Sequence, residues 1–167
     1  MSNQITSMAQ SSQPCAKQNS PGVIKIEYIP INWILTWPEF IDTNNTITSS
    51  IQLIPTKDWL LGSFSTGTSK YSEKTKKSKK GLKYKASLKA FISIDSPEIS
   101  DLFNKMAREL FVVKITDKNN SIRILGTPTV PFQFSSELST GKKTGDSKGH
   151  DYTFYGDLFE KAPFYVI

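Results

Sequence analysis

The stretch Leu82-Lys83-Tyr84-Lys85-Ala86-Ser87-Leu88-Lys89-Ala90-Phe91-Ile92-Ser93-Ile94 decides the fold class of this chain. Leu82, Tyr84, Ala86, Leu88, Ala90, Ile92 and Ile94 fall on one face. Lys83, Lys85, Ser87, Lys89 and Ser93 fall on the other, with Phe91 the one apolar exception. Successive side chains of a strand point to opposite sides of the sheet, so this period of two predicts a long strand with one dry and one wet face.

Working outward, residues 23–29 alternate in the same way, with Ile24, Ile26 and Tyr28 opposite Lys25 and Glu27. Residues 31–37 are β-branched and aromatic after Pro30, residues 46–54 carry Ile47, Ile51 and Leu53, and residues 59–61 are a short apolar piece. Beyond the long strand a helix is well marked. Ser96 is a good N-cap, Pro97 suits the first helical position, and Glu98 favours the positive end of the helix dipole. Ile99, Leu102, Phe103, Met106 and Leu110 make its apolar stripe. Residues 111–116 and 121–125 read as a hairpin around Asp117-Lys118-Asn119-Asn120. Residues 130–134 and 152–155 read as further strands, residues 139–150 as a loop, and residues 162–167 as an apolar end that docks. Seven to nine strands against one helix predict a mainly β (α+β) fold, a β-sandwich or barrel with one amphipathic helix packed on it.

Lys70, Lys74, Lys76, Lys77, Lys79, Lys80, Lys83, Lys85 and Lys89 crowd into twenty residues with Glu73 the only acid. That is a local charge of +8 in a chain of formal net charge +6, so everything outside the window nets −2. Basicity is one local element on a slightly acidic body. These lysines are the candidate site for contact with a partner or a polyanion, since each brings a point charge that displaces counterions. The alternative is a solvated hairpin whose charges discourage edge pairing. Only Tyr71 and Tyr84 are interleaved and no arginine is present there, so neither base stacking nor sequence-specific reading is expected. Residues 65–80 hold almost nothing apolar beyond Tyr71. A projecting basic loop or hairpin at residues 64–85 follows, anchored where Phe64 leaves the core.

The chain has 167 residues, enough for one domain with its own core. Residues 1–22 are rich in Ser, Gln and Asn, with Pro14 and Pro21, a composition that would be disordered alone; an extended N-terminal arm is expected there, held by a neighbouring subunit. Residues 23–167 form a single β-rich domain. The first thirteen residues carry neither a basic nor a hydrophobic region of a secretory signal. No run approaches the roughly 18 apolar residues of a membrane span, so no membrane partner is expected. Cys15 is the only cysteine and fits a reducing compartment, or an assembly that does not rely on disulfides.

No catalytic, cofactor-binding or metal-binding residues are expected. Asp146, His150 and Asp151 match no ligand spacing, and His150 reads as a surface histidine in a Gly-rich loop. Gly141-Lys142-Lys143-Thr144 is not a phosphate loop, because Ser136 stands where the upstream glycine belongs and Lys143 breaks the motif. Trp33, Trp37 and Trp59 read as core.

From residue 81 onward the order of motifs has a further meaning. It runs from Gly81-Leu82-Lys83-Tyr84-Lys85-Ala86-Ser87-Leu88 through the capped helix to Phe111-Val112-Val113-Lys114-Ile115-Thr116-Asp117. Ile124-Leu125-Gly126-Thr127, Ser139-Thr140-Gly141 and Ala162-Pro163-Phe164-Tyr165 follow. This C-terminal half resembles small structural proteins in the tail and head–tail connector regions of phages and prophages of Bacteroidetes, crAss-like phages included. The Lys, Asn, Ile and Ser bias of the chain suits an AT-rich phage of that group.

The resemblance implies a non-enzymatic, tail-tube-like subunit of the virion, assembled in the bacterial host cytoplasm. It would form a homo-oligomeric ring in the tail, collar or head–tail connector around the DNA channel. Neighbouring virion structural proteins would be its partners, with nonspecific contact to packaged DNA in reach. The alternative expectation is a nonspecific DNA- or polyanion-binding module that uses the lysine cluster.

Overall fold

The structure, a computed structural model, describes residues 21–38 and 44–167. Apart from Pro21 and Gly22, the expected N-terminal arm lies outside the described residues. The strands before the helix are β1 (Val23–Pro30), β2 (Ile34–Thr36), β3 (Thr46–Ile47), β4 (Gln52–Leu53), β5 (Leu60–Gly62), β6 (Lys70–Ser78) and β7 (Gly81–Ile92). After helix α1 (Pro97–Met106) come β8 (Phe111–Asp117), β9 (Ile122–Leu125), β10 (Gln133–Ser139), β11 (Gly149–Leu158) and β12 (Phe164–Tyr165). Seven of these twelve strands have four residues or more. Among the described residues the fold is mainly β with one α-helix, as the strand and helix patterns predict.

Two sheets face each other. One is six-stranded in the order β3-β12-β9-β8-β1-β5, the other four-stranded in the order β10-β11-β7-β6. Their inner faces share a core of Ile26 and Tyr28 from β1, Phe111, Val113 and Ile115 from β8, and Ala86, Leu88, Ala90 and Ile92 from β7. Phe134, Tyr152 and Phe154 complete it, with Phe154 edge-on to Phe111 at 5.6 Å. The outer face of the six-stranded sheet is covered too. Ile29, Val112, Ile124, Ile47 and Ile51 form a second core there, against which Trp33, Trp37 and Trp59 pack. The β2–β4 ribbon supplies Ile34 and Leu53 to this layer. Among the described residues the outer face of the four-stranded sheet has no such cover, and that difference positions the site.

The helix begins as its sequence dictates, with the Ile99 N–H donating to Ser96 Oγ at 3.3 Å. Phe103 and Met106 are buried, and Phe103 packs edge-on against Phe134. The stripe is narrower than expected. Leu102 and Leu110 are exposed, because the helix stops at Met106 and only its Phe103–Met106 side meets the sheet.

Other expectations need correction. Leu82 and Ile94 belong to the alternating face of β7 but are 42% and 50% exposed. The pairing of β11 with β7 runs only from Ile92 to Tyr84, so both residues lie past the ends of the neighbouring strand in their own sheet. Residues 31–37 are not one strand: Ile31–Trp33 is a 3-10 turn and β2 starts at Ile34. Residues 46–54 divide into β3 and β4. The strand expected at residues 130–134 begins at Gln133, after a turn in which Val130 N–H donates to Thr127 Oγ1. It runs to Ser139, and β11 starts at Gly149, so the loop between them is shorter than expected.

Candidate functional site

The lysine-rich stretch folds into the β6–β7 hairpin. Lys79 and Lys80 form its two-residue turn, and Gly81 after them takes φ +119°, a conformation that L side chains rarely adopt. Ser78 Oγ donates to the Gly81 carbonyl at 3.1 Å and closes the turn. This geometry sets the register, and the register sets the charges. Lys70 stands directly opposite Lys89, Lys74 opposite Lys85, and Lys76 opposite Lys83. Ser72 is opposite Ser87 in the same series, with their hydroxyls 3.1 Å apart.

Side chains alternate along β7, and Ala86, Leu88, Ala90 and Ile92 point into the core. Lys83, Lys85, Ser87 and Lys89 therefore point outward, and so do their partners on β6. Six lysines stand as three opposed pairs on the uncovered face of the four-stranded sheet. The other three do not join them. Lys77 lies opposite Leu82, on the other side of the hairpin, and Lys79 and Lys80 are in the turn. All nine are exposed, and none has a carboxylate within 4.0 Å among the described residues.

Of the two forms expected for residues 64–85, loop or hairpin, the chain takes the hairpin. From Lys70 to Thr75 the hairpin is an integral edge of the sheet, backed through β7 by β11. Tyr71 and Glu73 lie on the core side and are half-buried. Glu73 Oε1 accepts the Ala162 N–H at 2.9 Å, and the Tyr71 hydroxyl donates to the same oxygen at 3.3 Å. Burial, reinforced by the Glu73 carboxylate, pushes the Tyr71 hydroxyl far above the ordinary tyrosine range. Arg123 on β9 donates to the Ala162 carbonyl at 2.8 Å. The one acid of the window thus anchors the C-terminal segment and does nothing to neutralise the lysines.

Between the two strands and β11 lies a groove of about 480 Å3. Lys70, Lys74, Lys85 and Lys89 wall it, over Ser72 and Ser87, with Tyr155 and Asp157 along the β11 side, Asp157 standing directly opposite Lys85. Tyr155 is opposite Ser87 on β11, 40% exposed, and its hydroxyl lies 2.9 Å from Gln133 Oε1. The far corner of the same face is acidic, since Glu137 on β10 stands directly opposite Asp151 on β11. Ser72, Ser87 and Tyr155 are members of the site that the charge count misses. The signal was present in Lys79-Lys80-Gly81: counting back from that turn pairs the residues in this register.

The remaining candidates are dispersed. His150 is not on the surface but 5% exposed, on the core face of β11 opposite Ile92. Its ring packs edge-on against Phe103 at 5.2 Å, and Nε2 lies 3.7 Å from Asp95 Oδ1. Lys148 Nζ is 3.1 Å from the other oxygen of Asp95. Asp151, next in the strand, points to the opposite side of the sheet. Asp146 stays in its loop, where Oδ2 accepts the N–H groups of Lys142 and Lys143 at 2.7 and 2.9 Å. Among the described residues there is no group of three or more His, Cys, Asp or Glu side chains able to hold a metal ion. Nor is any helix of the described residues long and apolar enough to cross a membrane. Comparison with protein-family models, curated proteins and solved structures gives no match to this chain.

Proposed function

We propose that this chain is a non-enzymatic structural subunit of a phage virion, and that copies of it close into a ring in the tail, collar or head–tail connector. The virion setting follows from the resemblance of residues 81–167. The observation that carries the ring is that the four-stranded sheet ends on β6 at one side and β10 at the other, with no further strand on either edge among the described residues. Each neighbouring pair in that sheet is antiparallel, so β6 and β10 run in opposite directions. A second copy related by rotation then presents its β10 antiparallel to the first copy's β6. Such a head-to-tail contact repeats without change and closes into a ring when the rotation permits.

Charge favours the same pairing. Two β6 edges would set lysine against lysine, whereas β10 carries Glu137 and no lysine. The tip lysines Lys77, Lys79 and Lys80 remain free for neighbouring virion structural proteins stacked on the ring. Light scattering and negative-stain electron microscopy of the purified chain test this reading. A closed multimer is expected, and Glu137→Lys should weaken it without unfolding the body. A chain that stays monomeric at high concentration and is absent from purified virions overturns the proposal.

A further inference from the structure

We infer that the uncovered face of the four-stranded sheet is a nucleic-acid backbone site, with the paired lysines as its phosphate contacts and the Ser72–Ser87 row between them. Three features point there. Lys70, Lys74, Lys76, Lys83, Lys85 and Lys89 share one face with no carboxylate within 4.0 Å among the described residues, and the groove they wall stays positive, four lysines against Asp157. Directly opposed like charges destabilise a strand pair, and a polyanion laid across them removes that repulsion. The floor between the pairs is polar, made of two hydroxyls and flanked by the exposed Tyr155, the kinds of group that contact phosphate oxygens beside lysine.

An acidic protein surface fits less well. Protein interfaces are depleted of lysine and built around an apolar centre, and the groove offers only Tyr155 and the backbone beside Ala86 in that role. The absence of arginine from the face means charge without bidentate base recognition, so binding ignores sequence.

The location of the face rests on the ring reading. The six-stranded sheet and α1 cover one side of the four-stranded sheet. In a closed wall that bulky side belongs outside, where the circumference is greater, and the lysine face lines the bore. Each copy then presents six lysines to whatever duplex occupies the channel. The contact is a brake on the DNA rather than a specific lock, because counterion release depends only on the phosphates.

The test is fluorescence anisotropy of a labelled DNA duplex of arbitrary sequence, titrated with the full chain over a range of NaCl concentrations. The logarithm of affinity should fall linearly with that of salt, with a slope of about −0.9 for each phosphate neutralised, hence near −5 for the whole face. Replacing Lys70, Lys74, Lys85 and Lys89 together with Ser should reduce that slope by roughly 3 to 4 and leave circular dichroism unchanged. The control replaces Lys77, Lys79 and Lys80 with Ser, which removes charge from the same hairpin but not from the face. It should lower the slope by less than about one. Equal losses in the two variants would mean that net charge, not the face, does the binding, and would overturn the inference. So would tighter binding of polyglutamate than of the duplex at equal charge. The ring is scored separately by light scattering. Duplex binding by a monomeric chain supports the site and counts against the ring, while a ring that binds no duplex overturns the site alone.

Discussion

Glu73 Oε1 accepts the backbone N–H of Ala162 at 2.9 Å, across 89 residues of sequence. That bond turns the only acid of the lysine-rich window into the interior and leaves the lysine pairs with no acid on the outer face of their own two strands, Asp157 opposite Lys85 belonging to β11. One strand therefore does two jobs by parity: Tyr71 and Glu73 hold the body together, and Lys70, Lys74 and Lys76 face outward.

Glu73→Ala should strip the acceptor from both the Ala162 N–H and the Tyr71 hydroxyl. Leaving half-buried polar groups unpaired costs on the order of 1–3 kcal/mol. Glu73→Gln keeps an oxygen in place and should cost clearly less. Urea denaturation ranks the two variants, and amide exchange at Ala162 should accelerate most in Glu73→Ala. Equal stability of both variants and the parent chain would mean that the bond contributes nothing.

The two faces of β7 should separate cleanly in stability measurements. Leu88 is fully buried between the sheets, and Leu88→Ala should cost about 2–5 kcal/mol. Lys85→Ala and Lys89→Ala touch only the outer face and should stay within about 0.5 kcal/mol. A reversed order would require the strand register to be displaced by one residue.

The opposed lysines make a less ordinary prediction. Lys89→Glu replaces one like-charged pair, with Lys70, by an oppositely charged one, and its other cross-strand neighbour, Thr153 on β11, is uncharged. Cross-strand pairs of this kind differ by roughly 0.2–1 kcal/mol, so the variant should be more stable than the parent. The gain should shrink as salt screens both pairs. Thermal melting at low and high NaCl checks it, and the same variant should bind duplex DNA more weakly. A surface kept only for solubility would show no such opposition between stability and binding.

The alternation of residues 82–94 was enough to predict a long strand with one dry face, because period-two burial is a property of a single strand and needs no partner. The Ser96 cap was legible for the same reason, being local. What escaped were features that exist only between segments. The exposure of Leu82 depends on where β11 ends, and the burial of His150 depends on α1 laying Phe103 against it. The lysine cluster was plain in composition, but its division into six on the face and three at the tip depends on the turn. Glu73 could not be placed from sequence at all, since its partner lies at the other end of the chain.

The loop between β10 and β11 carries the last prediction. The Asp146 carboxylate accepts the N–H groups of Lys142 and Lys143, and these bonds hold its pKa below the ordinary aspartate value. A group whose native pKa is depressed stabilises the folded loop above the unfolded-state pKa, near about 3.9. That contribution disappears as pH falls through the lower native value. The amide resonances of Lys142 and Lys143 should therefore titrate together, with a midpoint below that of a free aspartate, and lose their protection on the acid side. Asp146→Asn should loosen the loop at neutral pH as well. Gly141 belongs to the same device, because at φ +72° an added Cβ would meet the Asp146 Cβ at 2.7 Å. Gly141→Ala should displace the carboxylate and shift the Lys142 and Lys143 amides as Asp146→Asn does. If those amides ignore both substitutions, the carboxylate does not organise the loop.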